Sequence, residues 1–266
     1  MINLSWYSFI WIYLLLFIPL TIFYIFKITL VRESIEAVLR MTVQLLLVGL
    51  YLKFIFKLNN IWLTLLWIVI MLFVANFSVL GKTELRRSLF FWRTLWGLSV
   101  STLLVTCWFI GVVIGPEPLY DARYAIPVMG IVLGNCMRGN VLSLERFYSE
   151  LRSKEEEYMT QVYLGASLRE AVVPFLRNAV RAAANPSLVS IATTGIVSLP
   201  GMMTGQILGG SPPMQAILYQ IAIMICIYAA IVLSTICNIL LSLHIAFDDH
   251  LRLRADIFRE MAKSLT

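Results

Sequence analysis

The chain has 266 residues, of which 60% are hydrophobic and only 14% charged, with a net charge of +6. Soluble domains carry roughly a quarter charged residues, and the mean hydropathy here is +0.84. These values exclude an ordinary soluble domain. The basic excess reads as membrane orientation, not nucleic-acid binding.

The first apolar run, Trp6 to Phe26, lacks a basic leader and is too long for the core of a signal peptide, so it reads as a span. Trp6, Tyr7, Trp11 and Tyr13 suit an interfacial belt at its start. A short polar segment, Arg32 to Glu36, precedes a second span from about Leu39 to Phe56, with Arg40 and Gln44 near its beginning. Asn59-Asn60 is a turn, and a third span covers Ile61 to Leu80. A basic loop with Lys82, Arg86, Arg87 and Arg93 leads to a fourth span, Leu95 to Ile114. Gly115-Pro116-Glu117-Pro118 breaks that helix, and Glu117 and Asp121 form an acidic pair in the same loop. The fifth span runs from Tyr124 to Leu142 and carries Asn135 and Arg138.

A long polar loop, Ser143 to Asn185, follows. Its charge pattern predicts one helix from Ser143 to Leu164 with an acidic middle, Glu155-Glu156-Glu157. Gly165 is placed as a stop, and Ser167 with Glu170 forms a capping box that opens a second helix. Leu168, Val172, Phe175, Leu176, Ala179 and Ala183 form its apolar face, while Arg169, Arg177 and Arg181 point elsewhere. The sixth span, Ser187 to Leu208, is interrupted at Pro200-Gly201, and Gly209 to Pro213 is a tight turn. The seventh span covers Met214 to Leu241, and an amphipathic charged tail runs from His244 to Thr266.

Lys and Arg concentrate in loops 1–2, 3–4 and 5–6 and in the tail. The positive-inside rule then places the N-terminus outside and the C-terminus in the cytoplasm, in a plasma membrane. The expected architecture is all-α and polytopic: one transmembrane domain over residues 1–266, about seven spans, and a cytoplasmic helix-turn-helix loop.

Catalytic signatures are missing. Gly81-Lys82-Thr83 resembles the end of a P-loop, but Asn76 stands where the first glycine is required. The chain has neither H-E-x-x-H nor G-x-S-x-G. Asp248-Asp249-His250 lacks the spacing of a defined metal site and reads as a solvated juxtamembrane helix, so metal ligands are unassigned. Cys107, Cys136, Cys226 and Cys237 lie in or near spans and read as small buried hydrophobes. Candidate path residues are Gln44, Asn135, Met137, Met202, Met203, Thr204 and Gln206: polar groups or soft thioethers at membrane depth, near Pro200. Gly201, Gly205 and Gly209 recur every fourth residue, a bare stripe suited to helix packing. An ion-driven secondary transporter would want carboxylates in the spans, and these have almost none. A membrane scaffold that binds a partner without transport is the other rival.

Several blocks resemble the FetB-type iron-export ABC permease family, which includes plant permeases linked to aluminium tolerance. They are Leu39 to Gly49, Pro116 to Tyr124, Gly134 to Met137, Leu164 to Ala171, and Ser198 to Gly209 with Tyr219-Gln220. The resemblance implies a homodimeric transport subunit without its own ATPase, paired with a separate ABC ATPase subunit. That partner would hold ATP and Mg, and this chain would bind no cofactor. It also makes Gly165-Ala166-Ser167, with Glu157, Arg169 and Glu170, look like the ATPase-coupling loop of bacterial importers. The usual Glu-Ala-Ala of that loop is replaced by Met159-Thr160-Gln161. The implied substrate is iron, while plant relatives are associated with nucleotide sugars.

Overall fold

The computed structural model describes residues 11–118, 120–248 and 250–259, and these fall into two compact units that divide between Asn59 and Asn60. The described residues are helical throughout, apart from turns and three isolated β-bridges. Among the described residues, five helices are long and apolar enough to cross a membrane.

In the first unit, α1 covers Phe17–Ile25 and α2 covers Val31–Leu58. Lys27, at φ 53°, ends the first helical segment, and the Ile28 and Lys27 amides close back on the carbonyls of Phe23 and Tyr24. The segment Arg32 to Glu36 is not a loop. It forms the first turns of α2, where Arg32 and Glu36 pair at 2.7 Å across one turn. Trp6 and Tyr7 of the expected interfacial belt lie outside the described residues.

In the second unit, α3 (Ile61–Lys82) is N-capped by Asn60, whose side chain accepts from the Trp62 amide at 2.9 Å. The helix α4 (Arg87–Trp108) starts well before Leu95 and passes into a π-turn, Phe109–Ile114, which ends at Gly115 with φ 58°. Its buried Ser101 and Thr102 hydroxyls bond back to their own helix, at the Gly97 and Leu98 carbonyls, while the Thr106 hydroxyl donates to Met129 Sδ at 3.6 Å.

The largest departure from expectation is at Ser143. The helix α5 (Ala122–Ser153) does not end at Leu142 but continues for eleven more residues. At 1.5 Å per residue its 32 residues reach about 48 Å, well past a hydrocarbon core of about 30 Å. The continuation is held because Leu144, Phe147, Tyr148 and Leu151 recur at helical spacing and are all buried. They pack with Tyr158, Val172, Phe175, Phe247, Ile257 and Phe258 into a core at this end of the unit. Glu150 is almost fully buried there. It accepts from Asn178 Nδ2 at 2.9 Å and lies 3.5 Å from Arg146 and 3.6 Å from Lys154.

After a break at Lys154, α6 is short (Glu155–Tyr163) and α7 runs from Leu168 to Thr193. The helix α7 therefore passes straight through Asn185 and Pro186, where the loop was expected to end, and the sixth span begins in mid-helix. The real interruption is Thr194–Pro200; Gly201 is the first residue of α8 (Gly201–Leu208). The Ser143–Asn185 segment is thus the end of one long helix, a short helix and the first two-thirds of another.

The last helix, α9 (Pro213–Ala246), has 34 residues and lies against α4, α5 and α7. The described part of the tail up to Phe258 is not an amphipathic helix. Phe247 bridges to Leu253, a 3-10 turn covers Ala255–Ile257, and Phe258 bridges to Leu85. Arg259 donates to the carbonyls of Leu85 at 2.9 Å, Gly81 at 3.5 Å and Leu80. Its charge thus caps the C-terminal end of α3, where the helix dipole is negative. The Gly81-Lys82-Thr83 sequence sits at that same end, the wrong pole of a helix for phosphate.

Candidate functional site

A cleft of about 680 Å³ opens between α5, α7, α9 and the start of α8. The broken helix shapes it. Gly195, at φ +91°, allows the chain to turn after α7, and its amide donates to the Ser198 carbonyl at 2.9 Å. The Ile196 and Val197 amides both return to the Thr193 carbonyl, leaving these two side chains highly exposed at the tip. Pro200 then N-caps α8, and its carbonyl accepts from the Thr204 amide at 3.0 Å and the Thr204 hydroxyl at 3.1 Å.

Asn135 and Arg138 project from α5 into the cleft, Ser187 and Ser190 from α7, Met202 from α8, and Gln220 and Met224 from α9. Arg138 Nη2 donates to Asn135 Oδ1 at 2.8 Å, and Asn135 Nδ2 donates to the Ile131 carbonyl at 2.8 Å. The guanidinium is therefore tethered one turn back along α5. Gln220 is 95% buried, and its Oε1 has no hydrogen-bond partner among the described residues, a costly state unless a ligand or water meets it.

A second cavity, about 390 Å³, is lined by Arg123, Tyr124, Gln206, Gln215 and Tyr219. The Tyr219 hydroxyl is buried without a hydrogen-bond partner among the described residues, and its ring meets Phe109 of the π-turn edge-on, centroids 6.3 Å apart. Met202 lines both cavities and so forms the partition between them.

Of the expected path residues, the structure brings Asn135, Met202 and Gln206 to these cavities. Met203 is buried beside them and lines an apolar pocket with Leu199 and Ile221. Thr204 spends its hydroxyl on Pro200. Met137 turns away and packs against the core around Phe147. Gln44 is exposed on α2, in the first unit. Gln220, Met224 and Tyr219 were not singled out from the sequence as path residues. The signal was a polar Gln within an otherwise apolar helix.

The glycine stripe meets no other helix among the described residues: a methyl group at Gly201 or Gly205 would find open space, and one at Gly209 only its own helix backbone. Close packing occurs instead at Gly97, where an added Cβ would overlap Asn238 Oδ1, and at Gly139, where it would come within 2.9 Å of Ile231.

The turn at Gly165 has the geometry expected of it. Gly165 has φ +95°, and the Ala166 and Gly165 amides donate to the carbonyls of Gln161 and Val162, a Schellman closure of α6. Ser167 and Glu170 form the complete capping box, with the Ser167 amide donating to the Glu170 carboxylate at 2.9 Å. Bonds from the Ser167 hydroxyl and amide hold the Glu170 carboxyl below its usual range. Tyr163 and Leu164 are 73% and 84% exposed at this tip, and Glu157, Arg169 and Glu170 are exposed beside it. On α7 the buried face is Val172, Phe175, Ala179 and Ala183 as expected, with Ala171 and Ala184 added; Leu168 and Leu176 are half-buried.

No group of three His, Cys, Asp or Glu among the described residues is placed to hold a metal ion. Asp248 instead accepts from the amides of His250 and Arg252, closing a turn where a juxtamembrane helix was expected; Asp249 lies outside the described residues.

A family model described as "Uncharacterised protein family (UPF0014)" matches residues 6–247. The "UPF0014 membrane protein slr1647" of Synechocystis is 38% identical over 198 residues, covering 74% of this chain and 76% of that one. "Protein ALUMINUM SENSITIVE 3" of Arabidopsis thaliana is 30% identical over 228 residues, 85% of this chain and 81% of that one. The "Probable iron export permease protein FetB" of Escherichia coli is 29% identical over 215 residues, 79% of this chain and 80% of that one. No solved structure matches.

Proposed function

The chain belongs to the uncharacterised protein family UPF0014, as a multi-pass helical membrane protein, and from that premise we propose that it is the permease subunit of an ABC exporter. It works as a homodimer on two copies of a separate ATPase, which hold ATP and Mg. The N-terminus is outside and the C-terminus cytoplasmic, following the Lys and Arg distribution. The observation that carries this reading is the similarity, over most of both chains, to a protein named as an iron export permease. Two features of the chain agree with it. The sequence has no P-loop of its own, and the α6–α7 turn offers a rigid tip with an exposed apolar pair, Tyr163 and Leu164.

In mechanism, ATP binding draws the two ATPase subunits together and moves the capped turn at Gly165. The rigid α7, continuous from that turn to Thr193, carries the movement to the break beside Met202. The cleft thereby exchanges access between the two sides, with no covalent chemistry in this chain. Iron is the cargo suggested by the FetB similarity, and a non-metal cargo is the second reading, favoured by the lack of carboxylates in the cleft.

The test is co-purification with a separate ABC ATPase, sought first in the reading frames that neighbour this one. Gly165→Val forces a β-branched residue to positive φ and distorts the tip, and it should abolish association while insertion into the membrane is unchanged. Association that survives Gly165→Val refutes the coupling role. An ATPase whose turnover in proteoliposomes is indifferent to this chain refutes the permease reading and leaves a scaffold.

A further inference from the structure

The charges that line the two cavities are of one sign. The 680 Å³ cleft contains Arg138 and no Asp, Glu, His or Cys, and the 390 Å³ cavity contains Arg123 and likewise none of these. We propose that the cleft takes an anionic cargo through carboxylate or phosphate oxygens anchored on Arg138, so that a metal passing through it travels inside an anionic complex rather than as a bare cation. This rests on the permease reading above.

The position of Arg138 is the first support. An arginine that only snorkels to lipid headgroups extends its head toward the nearer end of its span. On α5 the polar end is the C-terminal one, beyond Ser143. The Arg138 guanidinium bonds in the opposite direction, to Asn135, and Asn135 is itself fixed to the Ile131 carbonyl. This tether uses one of five N–H donors and leaves the planar fork available for a bidentate oxyanion. Arg138 makes no ion pair among the described residues.

The second support is Gln220. It is 95% buried, lines the cleft, and its carboxamide oxygen has no partner among the described residues. A terminal carboxamide can turn to present either its oxygen or its NH₂. It can therefore accept from a hydroxyl of the cargo or donate to an oxyanion. Ser187 and Ser190 add hydroxyls on the facing helix.

A bare metal ion fits this lining poorly. Hard divalent cations are held by several oxygens that include carboxylates, and borderline ones by imidazole or thiolate. Neutral amides, hydroxyls and thioethers beside a fixed guanidinium supply neither set and add repulsion. The volume of about 680 Å³ suits a small organic anion or its chelate.

The test is equilibrium binding to the full chain in nanodiscs of zwitterionic lipid. The probes are radiolabelled citrate, ferric citrate, pyrophosphate and anaerobic Fe²⁺. The wild type should retain citrate or pyrophosphate, the preferred one identifying the oxyanion, and should hold ferric citrate more tightly than Fe²⁺. Arg138→Gln should weaken anion binding about tenfold or more, Arg138→Lys by much less, and Gln220→Leu by a few-fold. Fe²⁺ bound more tightly than every anion, no anion retained, or anion affinity unchanged in a folded Arg138→Gln protein overturns the proposal. The wild-type comparison decides even if Arg138→Gln does not fold. Binding needs no ATPase, so failure of co-purification with intact anion binding removes the ABC reading alone, and the reverse removes the anion site alone.

Discussion

Replacing Asn140 with Leu tests how the two longest helices are joined. Asn140 on α5 is fully buried; its Nδ2 donates to Ser234 Oγ at 2.9 Å and to the Cys136 carbonyl at 2.8 Å, and its Oδ1 accepts from Asn238 Nδ2 at 2.6 Å. Leu keeps the volume and removes all three. Ser234 keeps its bond to the Ile231 carbonyl, and the Cys136 carbonyl keeps its helical partner, so neither is stranded. Asn238 fares worse: it is 1% exposed, and its Oδ1 already lacks a partner, so its NH₂ becomes the second orphan on one side chain. An orphaned buried polar group costs about 1–3 kcal/mol. Interhelical hydrogen bonds in membrane proteins average about 0.6 kcal/mol, because the unfolded chain in the membrane also finds partners. With two interhelical bonds lost and one new orphan, Asn140→Leu should destabilise by about 2–4 kcal/mol. The sign of the coupling is the sharper test. Once Asn238→Ala has removed the amide that would be stranded, adding Asn140→Leu should cost about 2–3.5 kcal/mol less than it does alone. The assay is unfolding in mixed micelles by SDS titration, followed by tryptophan fluorescence. A single substitution within about 0.5 kcal/mol of wild type, or a double that is strictly additive, refutes the reasoning.

Four further outcomes rest on the same structure. Ser167→Ala removes the N-cap of α7 and should cost about 1 kcal/mol, read as faster amide exchange over residues 168–172. The Glu170 carboxyl is depressed in the folded state, so its contribution is present above the ordinary value of 4.5 and is lost as pH falls through the folded value. Protection there should therefore drop on acidification in the wild type, and the drop attributable to this carboxyl should be absent in Glu170→Gln. Arg259→Met strips donors from the carbonyls of Leu80, Gly81 and Leu85 and should cost about 1–2 kcal/mol, with Arg259→Lys recovering part; an unchanged thermal midpoint would count against the cap. Gly97→Ala drives a methyl into Asn238 and should destabilise by about 1–3 kcal/mol, whereas Gly205→Ala should stay within about 0.5 kcal/mol in the monomer. Loss of the homodimer in Gly205→Ala, by light scattering, would assign the glycine stripe to the subunit contact.

The local features were legible in advance because each depends on a few neighbouring residues. Ser167 and Glu170 three apart specify a reciprocal cap, and Gly165 takes a positive φ that other residues resist. Gly210 similarly closes the α8 end with φ +97°, before the Pro212-Pro213 start of α9. The continuation of α5 past Leu142 was also written in the spacing of Leu144, Phe147, Tyr148 and Leu151. It was obscured because Glu145, Arg146, Glu150 and Arg152 made the segment look like a separate polar helix after the span, although charges on an exposed face are compatible with continuing the same helix.

The sequence by itself determined that this chain is helical and lives in a membrane, since long uncharged apolar runs leave helices as the way to satisfy the backbone without water. It also determined the Ser167 cap and the turns at Gly165 and Gly210, and it pointed to Asn135, Met202 and Gln206 as polar or soft groups at depth. Only the tertiary structure decided which of these share a cavity. It drew Gln220 and Arg138 together with Asn135, left Met137 in the core, and moved the close helix contact from the Gly201 stripe to Gly97 and Gly139. The physical reason is that a periodic pattern gives the face of each helix but not its partner. Partners are set by the match of bulk against bare backbone across helices, as where Asn238 of α9 meets Gly97 of α4, more than a hundred residues away in sequence.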